Sequence, residues 1–346
     1  MRIAQLAPLA ESVPPRLYGG TERVIAWLVD ELVALGHDVT LFASGDSSTK
    51  AKLHAVWPRA LRLGRKGVDP NAACALLIEA ISERAHEFDI IHSHVDWLPL
   101  PALSRAGVPF LTTMHGRLDL PGLPDVIGTF AKAPFVSISD NQRRPLPDAT
   151  WIATTPHGLP KDLFRPSFEA GAYLAFLGRL TAEKGPEAAM RIARAVRMSL
   201  RIAAKIPRAE TAYFKKKLEP EIDGQTIKLV GEVDDVRKQP FLAGAAALLF
   251  PIDWPEPFGL VMIEAMACGT PVIAYRSGSV PEVVEDGVTG FIVDDEEQAI
   301  EAVKEAGRLD RSTIRARFEE RFAASRMARQ YEETYRALVA RGAHHV

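Results

Sequence analysis

The sequence contains few cysteines, no long apolar run and no excess of either charge. Only two cysteines, Cys74 and Cys268, occur in 346 residues. They have no CxxC spacing and no nearby histidine, which argues against a disulfide framework and a metal site. No stretch approaches the roughly 18 apolar residues of a membrane-spanning helix. The formal net charge of -2 gives no electrostatic case for binding nucleic acid or an anionic membrane.

The amino terminus also lacks a targeting pattern. MRIAQLAPLAESVPP passes from a short apolar stretch into polar and proline-rich sequence, without the apolar core and cleavage site of a signal peptide. We therefore expect a cytoplasmic, reducing location. The lysine run at 215–217 and a short basic cluster are interpreted as solvated faces rather than phosphate or lipid sites; the cluster comprises Arg59, Arg62, Arg65 and Lys66.

Short apolar runs alternate with amphipathic segments along the whole chain. They are RIAQLAP, HDVTLFAS, FDIIHSH, PFLTTMH, APFVSIS, AYLAFLG, SLRIAAK, TIKLVGE, AALLFP, TPVIAY and TGFIVD. Runs that are apolar without alternation are typical of strands in a parallel sheet covered on both faces. The pattern predicts an α/β, doubly wound fold. Between the first two runs, Thr21 is the predicted N-cap of a helix that stops at Gly36.

One segment interrupts this alternation. Residues 154–173, TTPHGLPKDLFRPSFEAGAY, are rich in proline and glycine and have no apolar period, which predicts an interdomain linker near residues 158–171. We expect two Rossmann-like domains, 1–165 and 166–325, followed by a C-terminal helix at 326–346. That helix could pack back on the first domain.

Ligands of open α/β sheets bind beyond the carboxyl ends of the strands, and three predicted loops there contain unusual residues. RLYGGTERV places Gly19 and Gly20 before a helix, where they form either a plain turn or a site that a phosphate could approach. TTMHG places His115 where it could donate to a substrate hydroxyl or phosphate, or be a satisfied loop histidine. AFLGRLTAEKGPE places Arg179 and Lys184 in the same loop after a strand, where they are either a clamp for a diphosphate or two surface cations.

A fourth loop contains two glutamates eight positions apart. In WPEPFGLVMIEAMACG, Glu256 precedes a helix that begins near Gly259 and stops at Gly269, and Glu264 lies within the helix. A carboxylate near a helix N-terminus could simply cap it. Glu264, however, lies among apolar residues and needs a partner if it is buried. Vicinal hydroxyls are suitable partners for an ionised carboxylate.

The E-x7-E spacing of Glu256 and Glu264 resembles the retaining GT-B glycosyltransferases of family 4 (glycosyl transferases group 1). The resemblance extends to YGGTERVIAWLVDELVALGHDVTLFAS, TTMHG, PHGLPKDLFRP and FLGRLTAEKG, so it covers nearly the whole chain. It implies a GT-B fold, in which two Rossmann-like doubly wound domains face each other across a cleft and a helical tail follows.

The resemblance also implies roles for individual residues. Arg179 and Lys184 would bind the diphosphate, Glu256 the sugar hydroxyls, Glu264 the ribose and His115 the transferred sugar. Further donor contacts would come from Gly19 and Gly20, from Val233 near the base, and from the backbone amides of Phe258, Gly259, Leu260 and Val261.

The implied reaction moves a hexose from a nucleotide-diphosphate sugar to a hydroxyl acceptor. UDP-glucose is the first expected donor, and the acceptor would be a small molecule, a glycan or a lipid-linked group. Two cations and a helix dipole suit the charge that develops on the diphosphate. No protein nucleophile is expected, because the resemblance implies attack by the acceptor on the same face of the sugar that the diphosphate leaves. No cofactor or metal is expected either, because Arg179 and Lys184 would stabilise the charge and the acidic pairs at 234–235 and 294–295 form no DxD motif.

Some positions depart from the family, and alternatives stay open. His157 stands where many relatives have asparagine, and the strand ending at Lys205 lacks the usual GxGP. The short first domain leaves the acceptor unassigned. The alternatives are a sugar-nucleotide epimerase of the same fold, a glycan phosphorylase, for which no pyridoxal phosphate lysine motif is present, and a non-catalytic nucleotide- or sugar-binding protein.

Overall fold

The computed structural model describes residues 1–16, 19–64 and 67–342. The chain divides into two compact units, the first formed by residues 1–158 with the chain from Ala324 onward, and the second by Leu159–Ala323. The predicted division falls after residue 165, whereas the structure divides the chain after residue 158, so positions 159–165 of the proline-rich segment belong to the second unit. Arg65 and Lys66 of the basic cluster lie outside the described residues, as do positions 343–346 of the predicted C-terminal helix.

The first unit contains a seven-stranded sheet in the order β3-β2-β1-β4-β5-β6-β7, and every strand pair is parallel. Its strands are β1 (Arg2–Leu6), β2 (Asp38–Ser44), β3 (Lys52–Trp57), β4 (Ile90–Ser93), β5 (Phe110–Thr113), β6 (Phe135–Ser137) and β7 (Trp151–Thr154). The helices between them are α1 (Gly20–Ala34), α2 (Pro70–Arg84), α3 (Leu100–Leu103) and α4 (Leu123–Thr129).

The second unit contains a six-stranded parallel sheet in the order β10-β9-β8-β11-β12-β13. Its strands are β8 (Tyr173–Arg179), β9 (Leu200–Lys205), β10 (Ile227–Gly231), β11 (Ala245–Phe250), β12 (Val272–Tyr275) and β13 (Gly290–Val293). Its helices are α5 (Pro186–Ala195), α6 (Thr211–Tyr213), α7 (Asp235–Ala243), α8 (Leu260–Ala267), α9 (Val280–Val283), α10 (Glu296–Glu305) and α11 (Arg311–Arg321).

The last helix, α12 (Ala324–Gly342), belongs to the first unit although it follows the second in sequence. It packs beside α1, and its Tyr331 and Tyr335 are among the largest fully buried side chains of the protein. Among the described residues, none of the helices combines the length and the apolar character that a membrane crossing requires.

The doubly wound α/β prediction is confirmed for each unit, since all the predicted runs form parallel strands. Two strands are missed, β3 and β7, and both lie at the edges of the first sheet. An edge strand is covered less completely, so its sequence is less apolar: β3 is largely exposed. The predicted Thr21 cap is wrong, because α1 begins at Gly20 and Gly19 is its N-cap residue.

Candidate functional site

Each sheet has a switch point where the strand order reverses, between β1 and β4 in the first unit and between β8 and β11 in the second. Loops that leave the carboxyl ends of such strands in opposite directions open a crevice for a ligand. In the second unit these loops contain Arg179, Lys184 and Glu256. In the first unit, His94 follows β4 directly, and His115 lies two residues beyond β5.

Lys184 and Glu256 form an ion pair at the switch point of the second unit. Both side chains are 13% exposed. The ammonium group also lies over the ring of Trp254 at 4.8 Å and over that of Phe250 at 5.9 Å. A lysine with a carboxylate and two ring faces around it is held in place rather than free in solvent, so its charge has a defined position.

Backbone contacts fix the two loops against each other. Asp253 N donates to Glu183 O at 2.8 Å. Gly185, with φ of 70°, packs so closely on Pro251 that an added Cβ would lie 1.9 Å from the Pro251 carbonyl oxygen. Only glycine fits both the left-handed conformation and that approach. The clamp motif therefore ends in Gly185 because the loop after β11 passes directly against it.

A second segment supports the loop that contains Glu256. Ser279 N donates to Glu256 O at 3.0 Å, and Ser279 Oγ donates to Phe258 O at 2.8 Å. Gly278 lies so near that an added Cβ would be 2.3 Å from Glu256 N. The backbone support that the segment after β12 gives to this loop is visible only in the structure.

Arg179, at the end of β8, contacts Glu183 at 3.4 Å. Its Nε is buried and has no hydrogen-bond partner within the described residues, and the same is true of Thr181 Oγ1. Buried polar atoms normally have partners. Two such atoms in one loop at a switch point make this loop a candidate for contact with a polar ligand.

The N-terminus of α8 lies next to this loop. Gly259 is the N-cap residue with φ of 77°, and an added Cβ would meet Met262 Cε at 2.8 Å and Phe250 Cζ at 3.2 Å. The first N–H groups of an α-helix have no partner within the helix, and those of Leu260 and Val261 belong to this set. The Phe258 side chain is buried against Phe322, with ring centroids 6.1 Å apart, so its predicted role rests on its backbone amide.

Glu264 is 4% exposed and has a partner that the sequence did not reveal: Lys238 Nζ donates to its Oε1 at 2.6 Å. Lys238, on α7, is 7% exposed and also lies 3.4 Å from Asp235. The partner predicted for Glu264 was a pair of hydroxyls. Helical spacing places Lys238 on the buried face of α7, but nothing local to Glu264 indicates that α7 packs there.

Removing the Lys238 charge should therefore destabilise the second unit. We expect Lys238→Met to lower its free energy of unfolding by about 3–5 kcal/mol, because a buried carboxylate is left without its counter-charge. Denaturant titration measures the effect. Arg237→Met, on the exposed neighbour, is the control and should change stability by less than about 0.5 kcal/mol. Equal stability of wild type and Lys238→Met would show that the pair is not structural.

Other predicted positions of the second unit lie at the same sheet edge. Lys205 ends β9 and is the register partner of Arg179, and Leu180 N donates to Lys205 O at 3.0 Å. Val233, partly buried, lies between the end of β10 and the start of α7. Val233 therefore follows β10, the neighbour of the strand that ends at Lys205. Its loop leads into α7, and Lys238 of that helix pairs with Glu264.

In the first unit, His115 belongs to a group of four histidines. His115 Nε2 lies 2.8 Å from His94 Nδ1, and its ring stacks on His157 with centroids 5.2 Å apart and an interplanar angle of 21°. The His92 and His94 rings are 3.9 Å apart. The alternating HSH at the end of FDIIHSH could have indicated this group, since residues two apart in a strand share a face.

Burial lowers the pKa of every histidine in this group. The pKa of His115 falls to about 3 because its ring is desolvated. The pKa values of His92, His94 and His157 also fall well below the ordinary range, first through desolvation and then through neighbouring histidines. All four rings are therefore neutral at physiological pH.

Gln142 holds the loop that contains His115, and no motif in the sequence indicates this contact. Its Nε2 donates to Met114 O at 2.9 Å and to Gly116 O at 2.8 Å, while its Oε1 accepts from Ile138 N at 2.9 Å. The carbonyls on both sides of His115 are thereby tied to one buried side chain.

The Gly19-Gly20 turn lies at the N-terminus of α1, after β1. An added Cβ on Gly19 would meet Pro15 Cβ at 2.8 Å and Glu22 Oε2 at 3.1 Å. Burial raises the pKa of Glu22, and its carboxyl group lies in the first turn of the helix. This helix end is therefore already beside an acidic group of its own chain, and its contact with a diphosphate stays a prediction.

Gly19, Gly20 and His115 thus belong to the first unit, and the other predicted site residues belong to the second. Among residues 1–16, 19–64 and 67–342 there is no group of three His, Cys, Asp or Glu side chains arranged to hold a metal ion. Both cysteines are free thiols.

Two known families match different parts of this chain, one mainly in the first unit and the other in the second. The family described as Glycosyltransferase Family 4 matches residues 18–168, and the family described as Glycosyl transferases group 1 matches residues 171–307. Together the two matches include all the predicted site residues and the switch point of the second unit.

Individual relatives agree with this assignment. A D-inositol 3-phosphate glycosyltransferase of Mycobacterium leprae is 28% identical over 281 residues, 65% of this chain. The crystal structure of AviGT4, a glycosyltransferase of avilamycin A biosynthesis, has a TM-score of 0.75 and 26% identity and covers 98% of both chains. Anabaena Alr3699/HepE, solved in complex with UDP and glucose, has a TM-score of 0.76 at 19% identity, with 98% of this chain and all of that chain covered.

The match to the first curated relatives spans 62% of their length. The two family matches, the two doubly wound units and the likeness to glycosyltransferase structures nevertheless agree with one another. This chain is a member of the family 4-like glycosyltransferases of GT-B type.

Proposed function

We propose that this protein is a retaining hexosyltransferase, which moves a hexose from a nucleotide-diphosphate sugar to an acceptor hydroxyl without a metal ion. The observation that supports it most directly is the convergence of Arg179, Lys184, Glu256 and the N-terminus of α8 at one switch point. Two cations and free helix N–H groups are what a leaving diphosphate needs.

In the proposed step the anomeric C–O bond to the diphosphate breaks and its electron pair stays on the diphosphate oxygen. Arg179 and Lys184 stabilise the charge that arrives there. The acceptor hydroxyl attacks the same face of the sugar, and its proton passes to the leaving phosphate oxygen. No protein nucleophile takes part, so Glu256 is a hydroxyl holder in this proposal.

The ion pairs add a coupling between donor binding and sugar binding. Lys184 is paired with Glu256, and Arg179 with Glu183. A diphosphate that takes Lys184 as its counter-charge frees Glu256, and a freed carboxylate accepts hydrogen bonds from sugar hydroxyls. Binding of the diphosphate thereby prepares the sugar site in this proposal.

Glu264 is proposed to hold the ribose hydroxyls while it keeps its bond to Lys238. We expect Glu264→Gln to weaken binding of the preferred nucleoside diphosphate about tenfold, because hydrogen bonds to a charged acceptor are stronger than those to an amide. Isothermal titration calorimetry measures this. The paired variant Glu264→Gln with Lys238→Met, which leaves no unpaired buried charge, separates the binding loss from any loss of stability. Unchanged affinity in both variants would refute the ribose assignment.

UDP-glucose is the first donor to test, and an inositol phosphate is the first acceptor. UDP and glucose are bound by Anabaena Alr3699/HepE, and D-inositol 3-phosphate appears in the name of the Mycobacterium leprae relative. Epimerase and non-catalytic alternatives remain as competing outcomes of the experiment.

The test is a thermal-shift comparison of UDP, GDP and ADP, followed by transfer and hydrolysis assays with the matching nucleotide sugars. Binding of one nucleotide and sugar release from its nucleotide sugar, unaffected by EDTA, supports the proposal. A strict requirement for a divalent metal would contradict the charge assignment to Arg179 and Lys184. Interconversion of two nucleotide sugars without transfer would favour the epimerase, and binding without turnover would favour a binding protein.

A further inference from the structure

A buried chain of hydrogen bonds connects α12 to the loop after β5, entirely within the first unit. Its members are Thr113, His92, Tyr335, Gln5, His94 and His115. All but His115 are at most 2% exposed. Water therefore cannot supply alternative partners to them, and each proton in the chain must satisfy two neighbours at once.

The bonds near the end of the chain have one defined direction. Gln5 Nε2 donates to Tyr335 OH at 3.0 Å, so Gln5 Oε1 is the atom that lies 2.8 Å from His94 Nε2. An amide oxygen can only accept, so the proton of neutral His94 is on Nε2. His94 Nδ1 then has a lone pair, and His115 Nε2, 2.8 Å away, must donate to it.

The same reasoning applies in the other direction along the chain. Tyr335 OH accepts from Gln5, so its own proton is available to His92 Nδ1 at 2.7 Å. Neutral His92 then carries its proton on Nε2, which donates to Thr113 Oγ1 at 2.7 Å. Every member of the chain is satisfied in this arrangement, and the orientation of the Gln5 amide determines all of it.

The free end of the chain is His115 Nδ1, which is buried and has no hydrogen-bond partner among the described residues. With the ring neutral and its proton on Nε2, Nδ1 presents a lone pair. A lone pair accepts from a hydroxyl group but repels an unprotonated phosphate oxygen. This changes the sequence-based expectation for His115, which was that of a donor to a hydroxyl or a phosphate.

We propose that Gln5 and Tyr335 are positioning residues that set the tautomer of His115, so that its Nδ1 accepts a hydrogen bond from a sugar hydroxyl of the substrate. This rests on the proposed function only for the identity of the hydroxyl. Tyr335 follows the second unit in sequence and returns on α12, which gives that helix a chemical role in addition to its packing.

The direct test is the tautomer itself, measured by long-range 1H–15N correlation on the full chain labelled with 15N-histidine. His115→Gln identifies the His115 signals by their loss. We expect the proton of His115 on Nε2 between pH 6 and 8, with Nδ1 unprotonated. A proton on Nδ1 in the wild-type protein would overturn the proposal, and no substrate is needed for that result.

Three variants test whether the hydrogen-bond chain sets the tautomer of His115. Gln5→Leu removes the acceptor that holds the His94 proton on Nε2, so the His115 proton should shift to Nδ1. Gln5→Glu keeps an acceptor at that position and should restore the wild-type tautomer. Tyr335→Phe removes the partner that orients the amide and should produce a mixture of the two forms, which keeps the test open if Gln5→Leu does not fold.

Tyr331→Phe is the matched control. Tyr331 is on the same helix and similarly buried, but among the described residues its hydroxyl bonds only to the far end of the hydrogen-bond chain, at Thr113 Oγ1 2.9 Å away. It should leave the His115 tautomer unchanged, although it also loses a buried hydroxyl. Identical tautomer populations in wild type, Gln5→Leu and Tyr335→Phe would refute the positioning role.

Kinetics connect the tautomer to function. Once a sugar donor is known, Gln5→Leu should lower kcat/KM about tenfold, the contribution of one hydrogen bond. Tyr335→Phe should lower it less, in proportion to the tautomer that is lost, and Tyr331→Phe should not lower it. Equal kcat/KM in Gln5→Leu and Tyr331→Phe, with the His115 tautomer altered in Gln5→Leu, would refute the contact with the sugar hydroxyl. Absence of activity with every nucleotide sugar would contradict the proposed function, while the tautomer measurements would still decide the positioning role.

Discussion

Lowering the pH from 7 to 5 should destabilise the first unit by several kcal/mol. Burial keeps His92, His94, His115 and His157 neutral by lowering their pKa values. In the unfolded chain these rings titrate near pH 6.5. The unfolded state therefore binds more protons below that pH, so stability is complete above about pH 6.5 and falls as the pH decreases.

The expected size follows from linkage. Each histidine contributes up to about 2 kcal/mol between pH 7 and 5, and four contribute up to about 8 kcal/mol. Glu22, whose pKa burial raises, offsets part of this, because a carboxyl group that is protonated more easily in the folded state gains stability in acid. The remainder is comparable with the whole stability of a typical domain.

Hydrogen exchange of the β4 and β5 amides at pH 5, 6 and 7, corrected for intrinsic exchange rates, reports on the first unit alone. His157→Asn, which removes one titratable ring from the group, should reduce the loss between pH 7 and 5 by about 2 kcal/mol. His86→Gln, at an exposed histidine, is the control and should not change the pH dependence. A free energy of opening that is constant from pH 7 to 5 would contradict the neutral histidine group.

Lys184→Met should lower turnover with the preferred nucleotide sugar by about two orders of magnitude. Loss of one fixed charge that stabilises a developing anion typically has an effect of that size. Methionine keeps most of the apolar stem that packs under Trp254 and Phe250, so the variant removes charge rather than packing. Lys184→Ala removes both and should be at least as slow.

The comparison with Glu256→Gln sharpens this test. In that variant Lys184 loses its carboxylate partner, so the proposed charge stabiliser remains and its competitor is gone. We expect affinity for the nucleoside diphosphate to be retained or increased, while turnover falls because the sugar loses a hydroxyl acceptor. Lys228→Met, on the exposed face of edge strand β10, should retain wild-type turnover. Near-normal turnover of Lys184→Met would refute the clamp.

Much of the fold was predictable because buried parallel strands leave a local pattern. Each predicted apolar run corresponds to a strand, the edge strands β10 and β13 of the second sheet included, and glycines at the ends of α1 and α8 indicated where those helices stop or start. The edge strands β3 and β7 were not predictable in the same way. Half of an edge strand's surroundings is solvent, so its residues need not be apolar.

The candidate site was only partly predictable for a related reason. Charges beyond strand ends are unusual in their local context, and so is a charge inside an apolar helix. The first feature distinguishes Arg179, Lys184 and Glu256, and the second distinguishes Glu264. Their partners do not stand out: the sequence around Lys238 gives no sign that it neutralises Glu264, which is 26 positions away in the chain.

The sequence by itself determined the α/β class, the two Rossmann-like units and the positions of the charged loops, because these depend on short-range periodicity and on residues that strand ends and turns require. The tertiary structure decided which charges neutralise each other and how His115 is protonated. Those properties depend on contacts across the sequence, such as Gln5 with Tyr335, 330 positions apart. A buried ring or carboxylate has its chemistry set by the nearest few atoms, and only the folded chain brings those atoms together.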